Sequence, residues 1–152
     1  MSPVRPGSQQ QCDLPQAVTP RWHRIVLLVA GLQCLFWGLF IIACPERSSY
    51  AYGFAEPPEE LFLWQGMGLV IVLFGMGYLI ASANPVQHWV VILIGLLSKF
   101  FGPIGIVWSV NQGSVSRNVL HLLPINDLIW LIPFGFILVQ VYKLQQPNSQ
   151  RR

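Results

Sequence analysis

Charge is what this sequence has least of. Only 10% of its 152 residues are Asp, Glu, Lys or Arg, against 53% that are hydrophobic. A soluble domain carries about 25% charged residues. A water-exposed chain so poor in charge would struggle to cover its own surface, and placing that surface in lipid removes the difficulty. Cysteine is also scarce. Cys12, Cys34 and Cys44 form no CxxC pair and have no His at metal-ligand spacing, so neither a disulfide framework nor a metal site is implied. Cys34 lies in an apolar run and reads as packing. A P-loop, a dinucleotide fingerprint, a nucleophile elbow and HExxH are all missing, and no connection is long enough for a soluble catalytic domain. No cofactor is expected. His88 and His121 are expected at opposite membrane faces, which argues against a haem held by both. The net charge of +3 does not point to nucleic acid, because the basic residues do not cluster with aromatics in a soluble segment.

What the chain has in abundance is long apolar runs. Four predicted spans cover about 25–43, 61–81, 89–110 and 119–142; the first two hold no charge, the third only Lys99 and the fourth only Asp127. About 20 residues of helix cross a ~30 Å hydrocarbon layer, so each run is long enough. Strands are excluded by length and by the lack of alternation. The fold expected is all-α: a four-helix transmembrane bundle, with residues 1–20 and 144–152 as disordered tails. No apolar leader opens the tail, so no cleaved signal peptide is expected. Short connections make successive spans antiparallel, giving up-down-up-down order. Arg5, Arg21, Arg24, Lys143, Arg151 and Arg152 share one side, and Arg47 and Arg117 the other. This places both termini in the cytoplasm, at the inner membrane, with the glutamate-rich 44–60 loop outside. Trp22, Trp64, Trp89, Trp108 and Tyr142 lie where an interfacial aromatic belt would put them. His23 and His88, at cytoplasmic span ends, are expected to be wet.

Lys99 and Asp127 are the candidate centre. A charge at bilayer depth costs roughly 2.5–3.5 kcal/mol on insertion scales, so it faces the bundle interior and finds a partner. Counted from Trp89, Lys99 is ~15 Å deep. Counted from Val119, Asp127 is ~12 Å from the outer face, or ~18 Å from the inner one in a ~30 Å core. The two levels agree. The pair reads either as a structural ion pair fixing helix register or as a protonatable or ligand-binding centre. Pro103 deprives the Lys99 carbonyl of its helical donor. Gly102 and Gly105 beside it are expected to admit a close neighbour, and Pro124 and Pro133 flank Asn126 and Asp127. Freed carbonyls near an ionisable pair make a polar pocket, or else an ordinary kink. Gln33 and Gln65 read as interhelical hydrogen-bonding residues or as ligand contacts. Ser98 is not expected to act with Lys99, since consecutive helical residues diverge. His121 is placed to pass a proton inward to Asp127. Gly66, Gly68, Gly75, Gly77, Gly95 and Gly102 suggest close packing.

Three segments, EPPEELFLWQGMGLVIVLFGMGYLIA, HWVVILIGLLSKFFGPIGIVW and NDLIWLIPFGFIL, together resemble a family of small bacterial four-helix membrane proteins with LWQ…GMGY, GPIG and NDLIW motifs. The resemblance spans roughly residues 22–142. It implies interest in Trp64, Gln65, Lys99, Gly102, Pro103, Asn126, Asp127 and Trp130. In size and topology the family is similar to DoxX-like proteins, some of which associate with quinone-linked oxidoreduction. The leading functional expectation is a non-enzymatic multi-pass membrane protein. It would use its buried polar centre to bind a small or lipophilic ligand, or would act as an accessory membrane subunit, with the bilayer, a homodimer or a membrane complex as partner. A small proton-coupled transporter and a quinone-linked oxidoreductase component are the alternatives.

Overall fold

The computed structural model describes residues 19–145. Among them there is no strand. The helices are α1 (Arg21–Ala43), α2 (Pro45–Ala51), α3 (Leu61–Ala83), α4 (Trp89–Asn111) and α5 (Ile129–Gln145). A 3₁₀ segment, Arg117–Leu122, and a π segment, Pro124–Leu128, lead into α5. α1, α3, α4 and the composite 117–145 unit are each long and apolar enough to cross a membrane. The tails expected over 1–20 and from 144 lie largely outside the described residues; α5 itself continues to Gln145.

Proline sets several of the boundaries. A residue before proline is driven out of the α region. Cys44, before Pro45, has φ −134° and ψ 65° and ends α1. Asn84, before Pro85, has φ −145° and ψ 85° and ends α3. Pro45 then opens α2 at its first turn, where its missing N–H costs nothing. α2 and the turn after it fold back over the bundle. Gly53, at φ 87°, touches the Asn118–Val119 backbone, where an added Cβ would lie 2.7 Å from the Asn118 carbonyl carbon.

The closest helix pair is α1 with α3. A Cβ on Gly31 would lie 3.0 Å from the Gly75 carbonyl oxygen, and one on Gly38 would lie 2.6 Å from that of Gly68. The contacts are reciprocal, and the partners run in opposite order along the two helices. Two glycines seven residues apart recur on one face after two turns, so each helix presents a pair of notches to the other. Small residues at such contacts let backbones approach where lipid offers no hydrophobic drive. Gly102 and Gly105 do not fulfil their expected role: a Cβ there would meet nothing within 4 Å, and the same holds at Gly66.

The buried core lies towards the start of α1 and the end of α5. Leu27, Ala30, Tyr78, Ala81, Ile92, Phe134, Ile137 and Val141 form it. Tyr78 meets Phe134 edge-on, with ring centres 5.1 Å apart, and its ring fills the notch left by Gly95. His23, expected to be wet, is fully buried here, and its Nε2 pairs with Gln140 Oε1 at 2.7 Å. The correction has a simple cause: α1 begins at Arg21, so His23 already lies inside the bundle, and its position on the helix turns it towards α5. Outward faces carry Phe36, Phe62, Leu63, Ile80, Ile104, Ile132 and Phe136, all exposed. Continuous apolar surface of this kind requires a non-aqueous cover.

Gly38→Ala should lower stability by about 1–3 kcal/mol, because the new methyl is pressed on backbone that cannot yield. Gly102→Ala, in open space, should be neutral or stabilising by up to ~1 kcal/mol through helix propensity. Unfolding midpoints of both variants in mixed detergent, read by circular dichroism, check the contrast.

Candidate functional site

The site starts from a break in helical geometry. Pro124 has no N–H to donate and interrupts the 3₁₀ run before it. The chain continues as a wider turn, in which Ile129 N–H reaches the Pro124 carbonyl five residues back. Such π turns leave neighbouring carbonyls without their usual partners. Here the carbonyls of Ile125 and Asn126 turn to side chains of other helices.

Lys99 and Gln33 take them. Lys99 Nζ donates to the Asn126 carbonyl at 2.6 Å and lies 3.2 Å from Asp127 Oδ1. The Gln33 amide donates to the Ile125 carbonyl at 3.2 Å and to Asn126 Oδ1 at 3.1 Å. Its own oxygen accepts from Trp130 Nε1 at 3.0 Å. Gln33 thus uses both N–H donors and its oxygen, which fixes the orientation of the amide. One connected network joins α1, α4 and the π segment. The Lys99 and Asp127 side chains keep 12% and 21% of their surface accessible, so the pair is shielded without being sealed.

Beside the network lies a cavity of about 280 Å³. Gln33, Ser98, Lys99, Asn126 and Asp127 form its polar side. α3 supplies the apolar wall through Met67, Val70, Ile71 and Phe74; Cys34, Trp37, Tyr52 and Tyr78 complete it. Tyr52, just after α2, closes one end. Its ring lies 5.5 Å from Trp37 and 5.2 Å from Trp64, both edge-on, and Phe54 follows at 5.4 Å from Trp64. Burial pushes the Tyr52 phenol up to about 12, with the charge of Asp127 adding and the Asn126 side chain opposing. Tyr52 is therefore a neutral hydroxyl at any physiological pH.

Several candidates fall elsewhere. Trp64 Nε1 donates to Ser48 Oγ at 2.9 Å, and Gln65 Nε2 to the Ile42 carbonyl at 3.0 Å. These two residues fasten α3 to α2 and to the end of α1, and they do not line the cavity. Trp130 acts through Gln33. His121 is exposed and its ring pairs with the Asn118 carbonyl in its own turn, which does not place it towards Asp127. Pro103 is buried within α4, and Pro133 lies half-buried inside α5. Ser98 does join Lys99 along the cavity, because the cavity spans more than the ~100° between consecutive helical residues. Its hydroxyl donates to the Gly95 carbonyl at 2.8 Å. Tyr52, Tyr78 and Ser98 had no sequence signal pointing to a site. Trp37 had one: it follows Gln33 by four residues and so shares its face.

Lys99→Asp or Asp127→Lys alone should sharply reduce the folded fraction, since breaking a buried pair costs about 3–5 kcal/mol. The double exchange should recover part of it, as measured by monodisperse yield in detergent. An absence of recovery would show that the two side chains do not act on each other. Comparison of the chain with protein-family models, with characterised proteins and with solved structures gives no match.

Proposed function

We propose that this chain is a multi-pass protein of the inner membrane whose Lys99–Asp127 centre forms the polar end of a small-ligand binding site. The four long apolar helices and their outward apolar faces support the membrane setting. In that setting the bundle runs up-down-up-down with both termini cytoplasmic, as the lysine and arginine distribution indicates. The reversed order of glycine partners between α1 and α3 fits this arrangement.

One observation carries the binding reading. A purely structural ion pair needs no room beside it, yet this pair borders a cavity. Ligand sites are concave and mostly apolar, with a few convergent polar groups, and this cavity has that make-up. Lys99 carries three N–H donors, of which two have partners among the described residues. Asp127 meets Lys99 through Oδ1 only, which leaves acceptor capacity on Oδ2.

Topology is tested by labelling single cysteines in intact cells, in a background with Cys12, Cys34 and Cys44 replaced by Ala. Tyr50→Cys and Ser114→Cys should react with an impermeant maleimide from outside. Gln87→Cys should react only after the membrane is opened; it is the better probe of its loop, since Pro85 is fully buried. The reverse pattern would invert the orientation.

Binding is tested by native mass spectrometry of the full chain in mild detergent. The wild-type protein should carry an extra non-covalent mass. Ile71→Trp, which fills the cavity, should lose that mass and keep its helix content. A wild-type protein found only at its bare polypeptide mass, like the variant at its own, would remove the binding reading.

A further inference from the structure

The cavity does not end at the polar network. Met67 and Val70 line it, yet they are 54% and 44% exposed. Ser98, on the α4 side, is exposed as well. The mouth of the cavity therefore lies on the side where α3 and α4 stand apart. Against that mouth runs a second hollow of about 370 Å³, bounded by Val70, Leu73, Phe74, Gly77, Val91 and Ile94. Val70 and Phe74 belong to both. Every side of this groove is apolar. It narrows at Gly77, where a Cβ would lie 3.0 Å from Val91 Cγ1.

The two hollows have opposite chemistry and share a wall. The cavity volume is just below the ~300–1,000 Å³ of pockets that enclose a drug-sized ligand. It is too small for a whole lipid but large enough for a head. The groove is a single strip between two helices and suits one chain. The charges decide the kind of head. A carboxylate or phosphate that approached Lys99 would also face the Asp127 carboxylate, and an ammonium at Asp127 would face Lys99. Like charges at contact inside a poorly solvated site are strongly disfavoured. A hydroxyl meets both partners, donating to Asp127 Oδ2 while accepting the third N–H of Lys99.

We propose that the site takes an uncharged, hydroxyl-bearing, single-chain amphiphile from the bilayer, with its head at Lys99–Asp127 and its chain in the α3–α4 groove. This rests on the binding reading above and adds to it the ligand class and the route of entry. The ligand slides in sideways and its chain stays in apolar surroundings throughout. Tyr52 and the aromatic rings behind it close the aqueous end, so the polar head reaches the pair without crossing water.

The test uses the full chain in mild detergent with three probes sharing one eighteen-carbon chain: 1-monooleoylglycerol, oleate and oleylamine. Native mass spectrometry reads the bound fraction. 1-Monooleoylglycerol should bind at one per chain and exceed either charged probe by tenfold or more. Leu73→Trp and Ile94→Trp fill the groove from exposed positions, where a large apolar side chain does not disturb the core. Both should cut monooleoylglycerol binding at least tenfold and leave circular dichroism unchanged. Equal binding by the groove-filled variants would overturn the lateral route. Preference for oleate or oleylamine would overturn the hydroxyl head. Either result leaves the cavity reading standing if Ile71→Trp still abolishes binding. If no probe binds while the wild-type protein retains a native mass that Ile71→Trp loses, the amphiphile proposal fails and the site survives. If no probe binds and no such mass is present, both fall.

Discussion

A lysine ammonium in an apolar bundle must find acceptors inside the protein, because lipid offers none. The desolvation cost of two opposite charges is repaid only when geometry is good and their remaining polar atoms are hydrogen-bonded. Lys99 satisfies this condition in an unusual way. Its shorter contact, 2.6 Å, is to the backbone carbonyl of Asn126, and the carboxylate of Asp127 is the longer one at 3.2 Å. The ammonium is thus held by backbone and modulated by the carboxylate. That carbonyl belongs to the π turn that follows Pro124, where the regular helical ladder is interrupted. The local irregularity of 117–128 and the stability of the charge are one feature.

Gln33 extends the same logic to α1. A glutamine in a span gains when every polar atom has a partner, since an unsatisfied group in low dielectric is costly. Its contacts to Ile125, Asn126 and Trp130 occupy the amide completely. They also tie α1 to the segment that presents Asp127. The glycine contacts of Gly31 with Gly75 and Gly38 with Gly68 then fix α3 against α1. Position is passed from the π turn to α1 by hydrogen bonds and from α1 to α3 by backbone contact. α4 joins through Lys99 and through the Tyr78 ring seated at Gly95.

Much of this was legible in the sequence, for physical reasons. Apolar runs with a single charge each announce their own length and depth, so Lys99 and Asp127 were matched by counting residues from the span ends. Pro124 and Pro103 announced freed carbonyls. What stayed hidden was which way side chains point. Glycine carries no signal of direction, so Gly102 looked the same as Gly75, although one faces open space and the other a carbonyl. Gly31 and Gly38 went unremarked, although they are the partners of Gly75 and Gly68 across the helix pair. Trp64 and Gln65 sat at a plausible depth, but their hydrogen bonds run to α2 and to the end of α1, away from the cavity. Tyr52 lies in a connection with no periodicity, and only the fold of α2 brings it over the site.

The two halves of the bundle divide the work by packing density. Towards the start of α1 and the end of α5, fully buried side chains such as Leu27, Tyr78, Ile92 and Phe134 close-pack, and interiors of that kind resist deformation. Towards the opposite end, α3 and α4 separate and leave the cavity, from whose mouth the groove runs back along the outside of the closed half. The open half is therefore built on a closed one, which sets the distance between α1 and α4 independently of any ligand. Binding sites gain from such preorganisation, since less ordering is required when the ligand arrives. A charge pair fixed by backbone, beside a space held open by a rigid core, is suited to recognising a polar group without first rearranging to meet it.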